Sequence, residues 1–161
     1  MMVNKDQPHV LVLPEDRANL QLATGFHDEV DPKRQRQMQV LPVAGGWRRV
    51  LERFTSDHVV KMRSNLNRFM VLLIDFDDRP ERLGVAKATI PPELADRVFG
   101  LGVSDRPETL KGKLNISCAE IGSRLGQDCR NDTYATWGHE LLQHNASELD
   151  RLREYVRPIL F

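Results

Sequence analysis

At 161 residues, with 40% apolar and 29% charged side chains and no formal net charge, the chain is sized for one globular domain with a real core. No run approaches the roughly 18 apolar residues of a membrane-spanning helix. The polar segment ahead of Pro8 lacks the apolar stretch of a secretion signal, so a cytoplasmic setting is expected.

His9, Val10, Leu11, Val12 and Leu13 form a short, bounded apolar run, which predicts a buried strand of a parallel sheet. Pro14-Glu15-Asp16 then turns the chain. Asp16 is placed to cap an amphipathic helix bearing Leu20, Leu22, Ala23 and Phe26. A polar loop at 31–36 leads to a second strand over 37–43. Ala44-Gly45-Gly46 is a tight turn. Trp47, Val50, Leu51 and Phe54 then fall on one face of a helix that continues irregularly toward Lys61. Residues 69–75 are the third strand. Residues 79–87 read as loop or short helix, and Pro91-Pro92-Glu93-Leu94 as one helical turn opened by proline. A fourth strand spans 98–103, and 106–111 is a turn or short helix. Residues 116–129 form a helix with Ile116, Ala119, Ile121 and Leu125 inward, and the last helix runs over 148–156. Strands alternating with helices predict an α/β fold: a small, mainly parallel sheet of about four strands flanked by helices. It forms a single domain over 1–161, with a C-terminal helical segment at about 130–161.

The candidate chemistry sits at two strand ends. Glu15 and Asp16 follow the first strand, and Asp75-Phe76-Asp77-Asp78 follows the third. Carboxyl ends of parallel strands line the ligand crevice of such folds. Carboxylates gathered at one point repel each other unless a cation lies between them, and a hard divalent ion fits oxygen ligands. Period-2 geometry turns Asp75 and Asp77 to one side, with Asp78 opposite. Each has a plainer reading: Glu15 and Asp16 as helix caps, the aspartates as turn formers. Gly45 and Gly46 could let backbone approach a phosphate or simply make the turn. Asp105, at the end of the fourth strand, is a further ligand or a helix cap, and Lys111 a phosphate contact or a solvated lysine.

Residues 31–68 carry nine Lys and Arg against three Asp and Glu. Arg48, Arg49 and Arg53 among them suit a nucleic-acid backbone or a solvated helix face. His139 and His144 are five apart rather than the four an HExxH zinc motif needs. Cys118 and Cys129 match no zinc spacing and read as small buried hydrophobes, reduced in the cell. Tyr134 and Trp137 read as packing groups. No phosphate loop, dinucleotide fingerprint or nucleophile elbow is present.

A glutamate ending the first strand (Glu15), a glycine turn after the second (Gly45-Gly46) and an Asp-x-Asp ending the third (Asp75-Phe76-Asp77) together resemble a TOPRIM domain. That fold is shared by topoisomerases, bacterial primases and the overcoming-lysogenization-defect nucleases. The resemblance covers about residues 9–105. It implies Mg²⁺, or Mn²⁺, on Asp75 and Asp77, with Glu15 as general acid/base or further ligand; the residues themselves add Asp16, Asp78, Asp105 and Lys111 as candidate accessory groups. It implies a nuclease or phosphodiester-transfer domain acting on nucleic acid. The short length is closer to small TOPRIM-like proteins of prokaryotic defence and mobile-element loci. The alternative is a catalytically inactive TOPRIM-like interaction or regulatory subunit, a reading that Pro14 favours by standing where the family has glycine. A protein partner or a homo-oligomer is compatible with either.

Overall fold

The computed structural model describes residues 2–161 and is α/β, built on one four-stranded, all-parallel sheet. Strands β1 (His9–Pro14), β2 (Met38–Val40), β3 (Arg68–Leu73) and β4 (Val98–Leu101) lie in the order β2-β1-β3-β4. β1 pairs with β3 from His9↔Arg68 to Pro14↔Leu73. Side chains alternate across the sheet, so the two faces of β1 and β3 feed two separate cores. Val10, Val12 and Val71 pack under helices α1 (Arg17–Asp28), α6 (Cys118–Asn131) and α7 (Ala146–Tyr155). Leu11, Leu13, Met70 and Leu72 pack on the other side, under the helix that starts at Trp47. Both apolar runs are therefore buried on two sides, which is why they read as continuous rather than alternating.

Asp16 caps α1: its Oδ1 accepts from the Asn19 backbone N–H at 3.0 Å, worth about 1 kcal/mol. The helix after the glycine turn is α2 (Trp47–Arg53), a π-helical turn at Phe54–His58, then α3 (Val59–Ser64). The widened turn keeps Phe54, Val59 and Met62 all on the core side. α4 (Glu81–Thr89) occupies the stretch expected as loop or short helix, and α5 (Pro107–Leu114) precedes α6. α1 and α6 cross at glycines. A Cβ on Gly122 would lie 2.0 Å from the Leu22 carbonyl oxygen, and one on Gly25 1.9 Å from that of Ala119.

α7 lies along the β4 edge. The Glu148 carboxylate, 1% exposed, accepts from the Gly100 N–H at 2.9 Å and pairs with Lys87 and Arg151. Asn145 accepts from the Gly102 N–H at 3.1 Å and donates to the Gly102 carbonyl at 2.8 Å. The C-terminus folds back as α8 (Arg157–Leu160), with Leu160 buried and Phe161 edge-on to Phe26.

The strands are shorter than the sequence predicts. β2 spans three residues rather than 37–43, because Pro42 has no N–H and the chain is already leaving for the glycine turn. β3 stops at Leu73, though Ile74 and Phe76 still donate to the carbonyls of Leu101 and Val103. β4 ends at Leu101 rather than 103, where Gly102 turns its backbone to Asn145. Cys118 and Cys129 are buried free thiols, and burial pushes Cys129 up to about 11. Trp137 is buried with its Nε1 donating to the Leu125 carbonyl, while Tyr134 is half exposed beneath Arg153. Among the described residues no helix is long and apolar enough to cross a membrane.

Candidate active site

The chain leaves β1 and β3, two neighbouring strands, on the same edge of the sheet. β1 feeds β2 on one side through α1, while β3 feeds β4 on the other. The crevice between β1 and β3 is thus the point where strand order reverses, the usual ligand position in open parallel sheets. Glu15 and Asp75 stand at that point. The ladder extends one step beyond the strands, from the Glu15 N–H to the Leu73 carbonyl at 2.9 Å. The next rung is a side chain: the Asp75 N–H donates to Glu15 Oε2 at 2.6 Å.

Asn19, one turn into α1 and fully buried, joins the cluster. Its Nδ2 donates to Asp16 Oδ1 at 2.9 Å and to Asp75 Oδ1 at 2.7 Å. Three carboxylates thus draw on one side-chain amide and the backbone N–H groups of Asn19 and Asp75. Burial is the main force pushing the Asp75 proton affinity up, to about 7; the Asn19 amide opposes it, and the charges of Asp16 and Glu15 add to it. Burial also raises Glu15, against the lowering effect of the Asp75 N–H. Asn19 Oδ1 is buried with no partner among the described residues. The pocket is rich in oxygen acceptors and short of donors, the chemistry that suits a hard cation. Among the described residues, no three His, Cys, Asp or Glu side chains are already grouped to hold an ion. Binding one therefore requires the carboxylates to turn from their present partners.

A basic and aromatic wall stands beside the carboxylates. Arg82, from α4, donates through Nη1 to the Asp75 carbonyl at 2.8 Å and approaches Asp77 Oδ2 through Nη2 at 3.6 Å. Its guanidinium lies over the Trp47 indole at 4.8 Å, and that of Arg48 at 4.7 Å. The Arg82 charge also lowers Glu15.

The other expected residues are placed as follows. Asp77 and Asp78 take left-handed backbone (φ 50° and 54°), which breaks the strand alternation. The Asp77 side chain is 51% exposed and meets Arg82, with no hydrogen bond to the Glu15–Asp16–Asp75 group. The Asp78 N–H donates to the Ser104 carbonyl. Asp105 accepts from Thr109 Oγ1 at 2.6 Å and so holds the start of α5. Lys111, on α5, is exposed and makes no hydrogen bond or ion pair with the acidic group. Gly45, with φ 93°, and Gly46 both direct their N–H groups at the Glu15 carbonyl, at 2.8 and 3.3 Å. They fix the corner carrying Glu15, and those donors are taken. Arg53 donates to the Val43 carbonyl, and Arg49 is exposed. His139 and His144 stay apart from the cluster, His144 edge-on to Phe76.

The sequence does not mark Asn19 or Arg82 as site residues, and it marks Trp47 only as part of an apolar helix face. Asn19 lies three residues after the Asp16 cap and could have been found as an uncharged polar residue on an apolar helix face; Arg82 carries no local signal.

The fold and site together define a Rossmann-like α/β domain with an acidic pocket at its switch point. No family model, curated protein or solved structure matches the chain.

Proposed function

We propose that this pocket is a divalent-metal phosphodiesterase site, acting on nucleic acid as the resemblance to TOPRIM domains implies. The observation that carries this reading is the meeting of Glu15 and Asp75 at the switch point, with Asp16 bound to the same amide. Mg²⁺ or Mn²⁺, when bound, supplies a Lewis acid for a phosphate oxygen and a more acidic water. Asp75 and Asp16 are the ligands best placed to hold it, and Asn19 orients both. Glu15, whose carboxyl is raised above its ordinary value mainly by burial, is the group assigned to proton exchange. Arg82 and Arg48, braced on Trp47, offer two cations for the flanking phosphates. Asp77 is a ligand in this reading only if it leaves Arg82, so Asp75→Asn is the sharper probe.

The test is Mn²⁺ binding by calorimetry on wild type and Asp75→Asn, followed by Mn²⁺-dependent cleavage of labelled DNA and RNA with Glu15→Gln as control. Binding lost in Asp75→Asn and cleavage lost in Glu15→Gln support the proposal. A wild type that binds no Mn²⁺ overturns it and leaves the non-catalytic module.

A further inference from the structure

The core on the α1 side of the sheet encloses a cavity of about 70 Å³. Val12, Val71 and Val103 form its floor, and Ala23 of α1, Leu125 of α6 and Leu152 of α7 form its roof. The lining reaches from Val10 and Met38, paired near the start of β1 and β2, to Leu73 at the end of β3. Val10 is level with Phe69, so the floor follows β3 from residue 69 to residue 73, about 13 Å at 3.3 Å per residue. So small a volume drawn out over that length is a narrow slot rather than a sphere.

The wall is almost wholly apolar, and its polar groups are spoken for. The one N–H among the described lining side chains, Trp137 Nε1, donates to the Leu125 carbonyl at 3.1 Å. Gly102 also borders the slot; its N–H donates to Asn145 Oδ1, and its carbonyl accepts from Asn145 Nδ2. A buried water needs about two to four polar partners, so the slot favours hydrocarbon over water. The walls are also held apart. α1 and α6 already touch backbone to backbone, Gly25 against Ala119 and Gly122 against Leu22, and come no closer. Glu148 and Asn145 pin α7 and the turn before it to the β4 edge. The floor valines each have one stiff torsion, and no rotamer change lengthens them.

We infer that this slot is a binding site for a small unbranched hydrocarbon chain of a few carbons. A cavity of roughly 150 Å³ takes benzene; this one is about half that size and drawn out, which excludes a ring and suits a linear chain. Phe26 and Leu73 are the half-buried side chains of the described lining, and they mark its two ends. Phe26 lies in the last turn of α1, edge-on to Phe161, and Leu73 closes β3. No lining residue belongs to the acidic group, so this inference is independent of the function proposed for that group.

The test follows the methyl resonances of the full chain by carbon–proton NMR as n-butane is dissolved into the sample. Saturable shifts are expected at Ala23, Val71 and Leu152, with none at the exposed Val60 and Leu66. Ala23→Leu fills the slot and is expected to abolish them. Val71→Ile adds a single methylene to the floor, a change that a core with space beside it accommodates, and is expected to weaken n-butane binding about tenfold. Benzene is expected to leave the lining methyls unmoved. The absence of saturable n-butane shifts in wild type, benzene binding as tightly as n-butane, or a folded Val71→Ile of unchanged affinity overturns the proposal.

Discussion

Asp75→Asn is expected to make the protein more stable above neutral pH while emptying the acidic pocket of its central charge. Burial, Asp16 and Glu15 together lift the Asp75 carboxyl from 3.8 to about 7. The folded state therefore holds this proton more tightly than the unfolded chain. Its contribution is fully present below about pH 4 and is lost as pH rises through about 7. Each tenfold change in proton affinity is worth about 1.4 kcal/mol, so the ionised Asp75 costs up to about 4 kcal/mol at pH 8. Asparagine has nearly the same shape, still accepts from Asn19 Nδ2, and offers donors to Asp16 and Glu15. Urea unfolding followed by circular dichroism, between about pH 4 and pH 8, measures the difference. The two proteins are expected to be similar at the acid end, with the variant ahead by about 2–4 kcal/mol at pH 8. The raised Glu15 acts in the same direction in both and largely cancels. Parallel stability curves, or a variant weaker than wild type at pH 8, would refute this account of the cluster.

Asn19→Ala removes the amide shared by Asp16 and Asp75; the Asp75 carboxyl then titrates higher than in wild type by side-chain carbon NMR, and an unmoved midpoint would contradict the bridge. Gly122→Ala drives a Cβ into the Leu22 carbonyl, so the urea midpoint is expected to fall by an amount equivalent to about 1–3 kcal/mol. Burial favours a neutral Glu148, but Lys87, the Gly100 N–H and Arg151 outweigh it and hold the carboxyl below its usual range. Its contribution is present above about pH 4.5 and lost as pH falls through the lowered value. Glu148→Gln therefore costs about 2 kcal/mol at neutral pH, with the gap to wild type closing in acid.

Local chemistry carried much of this fold in plain view. The β1 and β3 runs are continuous in Val, Leu and Ile because both faces are buried, and Asp16 stands where a cap must stand. Glu15 and Asp75 could be paired from sequence because strand ends in a parallel sheet share one edge. Asp77 could not be placed the same way. Alternation holds only while the backbone is extended, and the chain turns left-handed at residue 77 under hydrogen bonds from Asp77 to Asp105 and from Asp78 to Ser104. Arg82 and Trp47 meet although 35 positions apart in the chain, through packing that no local pattern encodes. The length of β2 is likewise set by where the glycine turn docks on Glu15, not by the apolarity of residues 41–43.

Asn145 and Glu148 bear on how this protein behaves in a crowded solution. An unpaired strand edge is a template on which a second molecule can grow. At β4 the two side chains occupy the backbone groups that an incoming strand would need, Asn145 by offering an amide with the donor and acceptor of a peptide unit. At the other edge β2 is only three residues long. Copies of this chain can therefore meet through helix faces and side chains, but the sheet offers them little edge to extend. At β4 the protection of that edge thus rests on one buried amide and one buried carboxylate, neither of which bonds to the acidic group.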